Sequence, residues 1–323
     1  MQFQAQKPGL FRRTPPAIFP PIFGLFGLGL AWRRAVDQFP VTSALGDFIL
    51  GATAILYLFA LVAYLAKFIR RPGVLTDDLK TVPGRAGLSG MTLGGMLFAA
   101  ALIPFSIPMA KTVLVMAVVV HTVIVVLVLK AMLTGPVEAR SVTPVWHLLF
   151  VGFIISPVAA VPLGYVSWSQ GVLWVTLAIA VFIWAMSAAQ AMKKEMPAPL
   201  RPTLAIHLSP AALLGTISYL LGYASLGYAF GILAILILVA LVLRARWVTA
   251  AGFSPFWGAF TFPLAAFSTL MQIMGAVGEG EVFLILGGIA LVAASLLIPF
   301  ITYRILKLWA KGQLAVKTNA AQV

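Results

Sequence analysis

Residues 113–129 read VLVMAVVVHTVIVVLVL, seventeen residues with no Asp, Glu, Lys or Arg, bounded by Lys111 and Lys130. A run of this length matches the ~20 apolar residues with which a helix crosses the hydrocarbon of a bilayer. A transmembrane barrel needs instead ~10-residue segments of alternating polarity. Working outward, the same criterion finds ten runs: Pro15–Ala35, Ser43–Ile69, Leu88–Pro108, Thr112–Leu133, Pro144–Leu163, Gly171–Met192, Thr203–Gly222, Leu226–Leu243, Ser254–Gly275 and Val282–Leu306. The composition agrees. The 323 residues are 62% hydrophobic and 9% charged, with a mean hydropathy of +1.05, where soluble proteins carry about 25% charged residues. A soluble enzyme or a nucleic-acid binder is excluded, despite the net charge of +14.

The expected architecture is all-α and integral to the membrane, with ten helices forming five hairpins. Residues 1–14 form an N-terminal tail, 15–308 the membrane domain and 309–323 a C-terminal tail. Met1–Arg13 is polar and basic and lacks the apolar core and small-residue cleavage site of a signal peptide, so the first run reads as a retained helix. No stretch reads as a separate soluble domain, and the longest loop is Arg70–Gly87. With the helices numbered one to ten, 19 of the 22 Lys and Arg fall on the side of the N-terminus. Arg33, Arg34 and Lys111 fall on the other. Lys and Arg concentrate in cytoplasmic loops. Both termini are therefore expected in the cytoplasm, in a multi-pass protein of the bacterial inner membrane.

Proline distribution separates the spans into two kinds. Thirteen of 21 prolines lie in the runs, and twelve of those occupy odd-numbered ones; Pro299 is the exception. Proline inside a helix frees the carbonyl four residues back and bends the axis. In a bilayer such a freed group is tolerated only within protein or beside water. Kinks at Pro20, Pro104, Pro157, Pro210 and Pro263 place the odd helices inside, and the aliphatic even helices face lipid. Ordinary packing kinks are the alternative reading.

The spans offer little chemistry. Asp, Glu and His total eleven, and there is no Cys. Asp47 starts the second helix, and the other carboxylates, Glu138 among them, lie in loops. Metal sites, paired catalytic carboxylates and the acidic relays of proton-coupled carriers are absent, so neither an enzyme nor a cofactor is expected. His121 reads as a packing residue and His147, beside Trp146, as an interfacial anchor. His207, three residues before Pro210, is a candidate for the transport route. The remaining lining groups are hydroxyls, backbone and aromatics: Phe19, Phe23, Gly24, Phe105, Ser106, Phe153, Ser156, His207, Ser209 and Thr261. An uncharged route under a basic rim favours anions, although carbonyls freed at kinks oppose them. Phe262, just before Pro263, is either a packing ring or a plug.

The start PPIFGLFGLGLAWR (20–33), the segment WGAFTFP (257–263) and the stretch Arg201–Tyr219 around Pro210 resemble the tellurite-resistance/dicarboxylate transporter family. That family includes the bacterial TehA proteins and the slow-type anion channels of plant guard cells. The resemblance implies a quasi-fivefold arrangement with odd helices around a central pore. It also implies homotrimers with one pore per protomer and a gating phenylalanine at Phe262. Passive anion conduction is the implied activity. The alternative is a carrier for C4-dicarboxylate, sulfite or tellurite. The long cytoplasmic tails that carry kinase control in the plant channels have no counterpart here. The expected partners are small inorganic or organic anions and membrane lipid.

Overall fold

A computed structural model describes residues 9–135 and 140–323. Residues 1–8 of the expected N-terminal tail, and Glu138, lie outside the described residues. All regular structure among them is helical. The elements are α1 (Phe19–Ala35), α2 (Ser43–Arg70), α3 (Gly73–Leu79), α4 (Val82–Leu102), α5 (Ile107–Thr134), α6 (Ser156–Ala160), α7 (Val166–Lys193), α8 (Leu208–Leu220), α9 (Ala224–Leu243), α10 (Ala245–Val248), α11 (Thr261–Ala276), α12 (Glu281–Ala310) and α13 (Gln313–Lys317). Tighter 3₁₀ turns precede α1 (Pro16–Ile18), α8 (Ala198–His207) and α11 (Pro255–Phe260). A π turn (His147–Val151) followed by a 3₁₀ turn (Gly152–Ile155) precedes α6.

Among the described residues, seven helical segments are long and apolar enough to cross a membrane: α2, α5, α7, Ala198–Leu220, α9, Pro255–Ala276 and α12. The other three expected spans differ from these. α1 has 17 residues, α4 is a continuous 21-residue helix that carries Gly84, Gly87, Gly90, Gly94 and Gly95, and the fifth run is broken at its π and 3₁₀ turns. At most a third of the most apolar stretch of α2, α5, α7, α9 or α12 is buried, against 78% for Ala198–Leu220 and 67% for Pro255–Ala276. The buried segments touch in a closed cycle. α1 packs on α4, α4 on His147–Ala160, Gly152–Ile155 on α8, α8 on α11, and α11 returns to α1. Each exposed helix packs against the buried segment adjacent to it in sequence.

Four of the five expected kink prolines lie where a 3₁₀ or π turn passes into an α-helix. Pro20 and Pro21 lie in the first turn of α1, Pro157 in that of α6, Pro210 in that of α8 and Pro263 in that of α11. A first-turn residue has no intrahelical acceptor for its N–H, so proline fits there without loss. Each of these segments is a 3₁₀ or π turn followed by an α-helix. Pro104 kinks nothing. α4 ends at Leu102, Ile103 keeps helical dihedrals, and Pro104 and Phe105 lie in the turn to α5. Pro108 opens α5.

The expected loop Arg70–Gly87 is largely helical, holding α3 and the start of α4. It also carries a buried ion pair. Lys67 Nζ lies 2.9 Å from Asp78 Oδ2, and both side chains are fully buried. Lys67 also donates to Thr14 O at 3.1 Å, and Tyr64 donates to Asp78 Oδ2 at 3.0 Å. Asp78 Oδ1 accepts from Ala321 N at 2.7 Å. The two terminal segments meet beside this pair, where Val323 N donates to Arg12 O at 3.3 Å. The expected C-terminal tail is thus structured: α12 runs to Ala310, and α13 buries Leu314 and Ala315. At the opposite ends of α1 and α2, Arg33 pairs with Asp47 at 2.6 Å and donates to Ala101 O of α4.

Candidate functional site

Three cavities lie in series within the cycle of buried segments. The outermost is lined by Ala17 and Pro20, Pro83 and Ala86, Val145 and Leu148, Thr203 and Ile206, and Pro255, Phe256 and Ala259. Each buried segment therefore contributes near its own start. The middle cavity shares Pro20, Ala86, Leu148, Ile206 and Ala259 with the outermost, and adds Phe23, Gly90, Ser209 and Phe262 among others. The innermost keeps Phe23, Leu148, Ser209 and Phe262 and adds Leu93, His147, Gly152 and Leu213 among others. Along each segment the lining residues advance by three or four positions, as one face of a helix does. Small residues leave the space: Ala17, Ala86, Gly90, Gly152, Gly258 and Ala259. Ser209, His147 and Thr203 are the polar side chains of the lining; no Asp, Glu, Lys or Arg among the described residues takes part.

Phe262 lies between the middle and innermost cavities and belongs to both linings. Its ring stacks on that of Phe23, with centroids 3.9 Å apart and planes 21° from parallel. Two glycines of α1 make room for this arrangement. A Cβ at Gly27 would come 2.9 Å from Phe262 Cδ2, and one at Gly24 would overlap the Thr261 side chain. Offset aromatic pairs of this kind contribute about 0.5–1.5 kcal/mol beyond their buried area. Phe23 and Phe262 are nearly inaccessible, and both border the two cavities, as Leu148 and Ser209 do.

The other expected site residues divide. Ser209 lines two cavities. His207 flanks the lining: its Nδ1 is 3.0 Å from Nε2 of the cavity residue His147. Gly24 and Thr261 belong to the α1–α11 contact, where Thr261 Oγ1 donates to Gly258 O at 2.7 Å. Phe19 faces α2, edge-on to Tyr57 and Tyr64. Phe153 packs against His121, with centroids 4.6 Å apart. Ser156 donates to Phe153 O and accepts from Trp168 of α7. Phe105 is 73% exposed in the α4–α5 turn, and Ser106 caps α5 by accepting from Met109 N. These seven lie outside the cavity linings: Phe105 and Ser106 sit in a turn, and the other five meet neighbouring segments instead. His121 is the packing residue expected, with Nε2 donating to Leu149 O at 2.9 Å and Nδ1 2.7 Å from Thr92 Oγ1. His147 is not an interfacial anchor; it is 3% exposed and reaches the innermost cavity. The i+3/i+4 steps from Pro20, Pro83, Pro144 and Pro255 mark Leu148, Leu93 and Ala259 in the sequence, but they do not give the depth at which the segments meet.

No group of three or more His, Cys, Asp or Glu able to hold a metal ion occurs among the described residues. A charge-poor series of cavities, enclosed by buried segments and surrounded by membrane-length apolar helices, belongs to a multi-pass channel or transporter. The chain is a member of the voltage-dependent anion channel family, SLAC1, whose sequence profile matches residues 13–306. It is the family to which the sequence resemblance points, and its members are anion channels or transporters rather than enzymes. Among curated proteins, none matches the chain.

Proposed function

We propose that the protein is a passive anion channel with one pore per protomer, closed by Phe262. The observation that carries this reading is the Phe23–Phe262 stack across the junction of two cavities that all five buried segments line. Those segments and their outer partners are read as ten spans in five hairpins around the pore. The cycle of packing and the burial contrast support that reading. An apolar constriction gates by excluding water and by side-chain rotation. Anion preference has two supports. The basic side of the protein lies at the wide end of the cavity series, and the lining holds no carboxylate among the described residues. The meeting of the two terminal segments supports an even number of crossings, with both termini cytoplasmic by the Lys and Arg asymmetry. Residence in a bacterial inner membrane and assembly as homotrimers rest on the family resemblance.

Replacing the ring tests the gate. In planar bilayers, Phe262→Ala raises chloride conductance about tenfold or more, equivalent to ~1.4 kcal/mol off the barrier. A folded Phe262→Ala protein that conducts no better than wild type overturns the gate. The second reading, a carrier for dicarboxylate, sulfite or tellurite, predicts saturable counterflow without single-channel events.

A further inference from the structure

Two residues that line the innermost cavity each carry a polar atom that no protein group satisfies. His147 Nδ1 and Ser209 Oγ are both buried and without a hydrogen-bond partner, on residues only 3% and 5% exposed. Both residues line this cavity together with Phe23 and Phe262. Leaving a buried polar group unpaired is costly. Some buried hydroxyls in the molecule bond to the preceding turn, as Thr176 does to Val172 O at 2.6 Å and Thr302 to Ile298 O at 2.7 Å. Ser89, Ser187, Ser218 and Ser254 share the unpaired state of Ser209, but of these five serines only Ser209 lines one of the three cavities. It sits in the first turn of α8.

The second ring nitrogen of His147 decides what the first presents. Nε2 lies 3.0 Å from His207 Nδ1, so one proton occupies that contact. When His207 Nδ1–H donates, His147 carries its own proton on Nδ1 and offers a donor; in the reverse arrangement Nδ1 offers a lone pair. A hydroxyl donor and the absence of carboxylates from this lining select a negative ligand, and therefore the first arrangement. Two donors between apolar walls, with no Lys or Arg in the lining, suit a weakly hydrated monovalent ion better than a dianion, whose second charge would be left uncompensated.

We infer that Ser209 Oγ–H and His147 Nδ1–H form a subsite for a small monovalent inorganic anion beside Phe262, with His207 as the positioning residue that sets the His147 tautomer. The inference rests on the conduction reading above, and its test is built on the Phe262→Ala background. Chloride conductance is measured against chloride concentration in bilayers. Loss of a hydrogen bond to a charged group weakens binding about tenfold or more, so Ser209→Ala and His147→Leu each raise the half-saturating chloride concentration by about that factor. His207→Leu does the same, and His207→Asn, whose amide N–H stands where Nδ1–H stood, restores the parent value. An unchanged half-saturating concentration in Ser209→Ala, a substitution too small to disturb the fold, overturns the subsite while leaving conduction intact. Failure of the Asn variant to restore what the Leu variant loses overturns the positioning role. Absence of chloride current in Phe262→Ala itself overturns the conduction reading instead.

Discussion

Phe262 owes its place to neighbours with little side chain. Gly27 lies under its ring and Gly24 under the adjacent Thr261, and Phe23 supplies the opposing face. Two substitutions separate these contributions. Gly27→Ala puts a methyl where only hydrogen fits, 2.9 Å from Cδ2. It should displace the ring, raise resting chloride conductance and lower stability by about 1–3 kcal/mol, the usual cost of overpacking, read by denaturation in detergent. Phe23→Ala removes the stacking partner and keeps the plug, so its conductance should fall between wild type and Phe262→Ala. A conductance equal to that of Phe262→Ala would mean that Phe23 is itself the barrier. At this scale the sequence was only partly legible. Phe262 stood out through its place before Pro263 and gained a role only by resemblance, because a phenylalanine in a membrane helix is ordinarily packing. The contact between His147 and His207 joins residues sixty positions apart, and nothing in either local sequence announces it.

The helices themselves divide by what hydropathy can report. α2, α5, α7, α9 and α12 were legible to within a few residues, because lipid-facing helices are apolar all round. The buried segments were legible through their prolines, but their change from 3₁₀ or π turn to α-helix was not, since proline marks a boundary without saying on which side the α-helix lies. The run Leu88–Pro108 shows this: α4 begins before it, at Val82, and ends at Leu102, leaving Pro104 and Phe105 in a turn. The first-turn placement of Pro210 has a measurable consequence. Pro210→Ala should change stability in detergent by less than about 1 kcal/mol, where a proline interior to a helix would shift it by ~3 kcal/mol. Lys67 and Asp78 form the opposite case, a pair with no exposure and several further bonds. Lys67→Met leaves Asp78 as an unpaired buried charge and should cost about 3–5 kcal/mol in the same assay. A loss near that of a surface pair, below about 1 kcal/mol, would show that Asp78 finds another counter-charge.

For the whole molecule the account asserts a direction and a passage. The 19:3 division of Lys and Arg places Lys111 outside and Lys311 inside, and the absence of Cys makes both positions testable with single substitutions. In intact cells an impermeant maleimide should label Lys111→Cys and reach Lys311→Cys only after the membrane is opened; the reverse pattern would invert the topology. Among the described residues, no charged side chain lines the cavities. An apolar lining relieved by Ser209, His147 and Thr203 leaves selectivity to weak donors and the basic side of the protein. The most direct test is the reversal potential of Phe262→Ala in a bilayer under a tenfold potassium chloride gradient. The account predicts a potential close to the chloride equilibrium value and a conductance well above wild type. A potential near the potassium value, or a folded protein that passes no current, would contradict it.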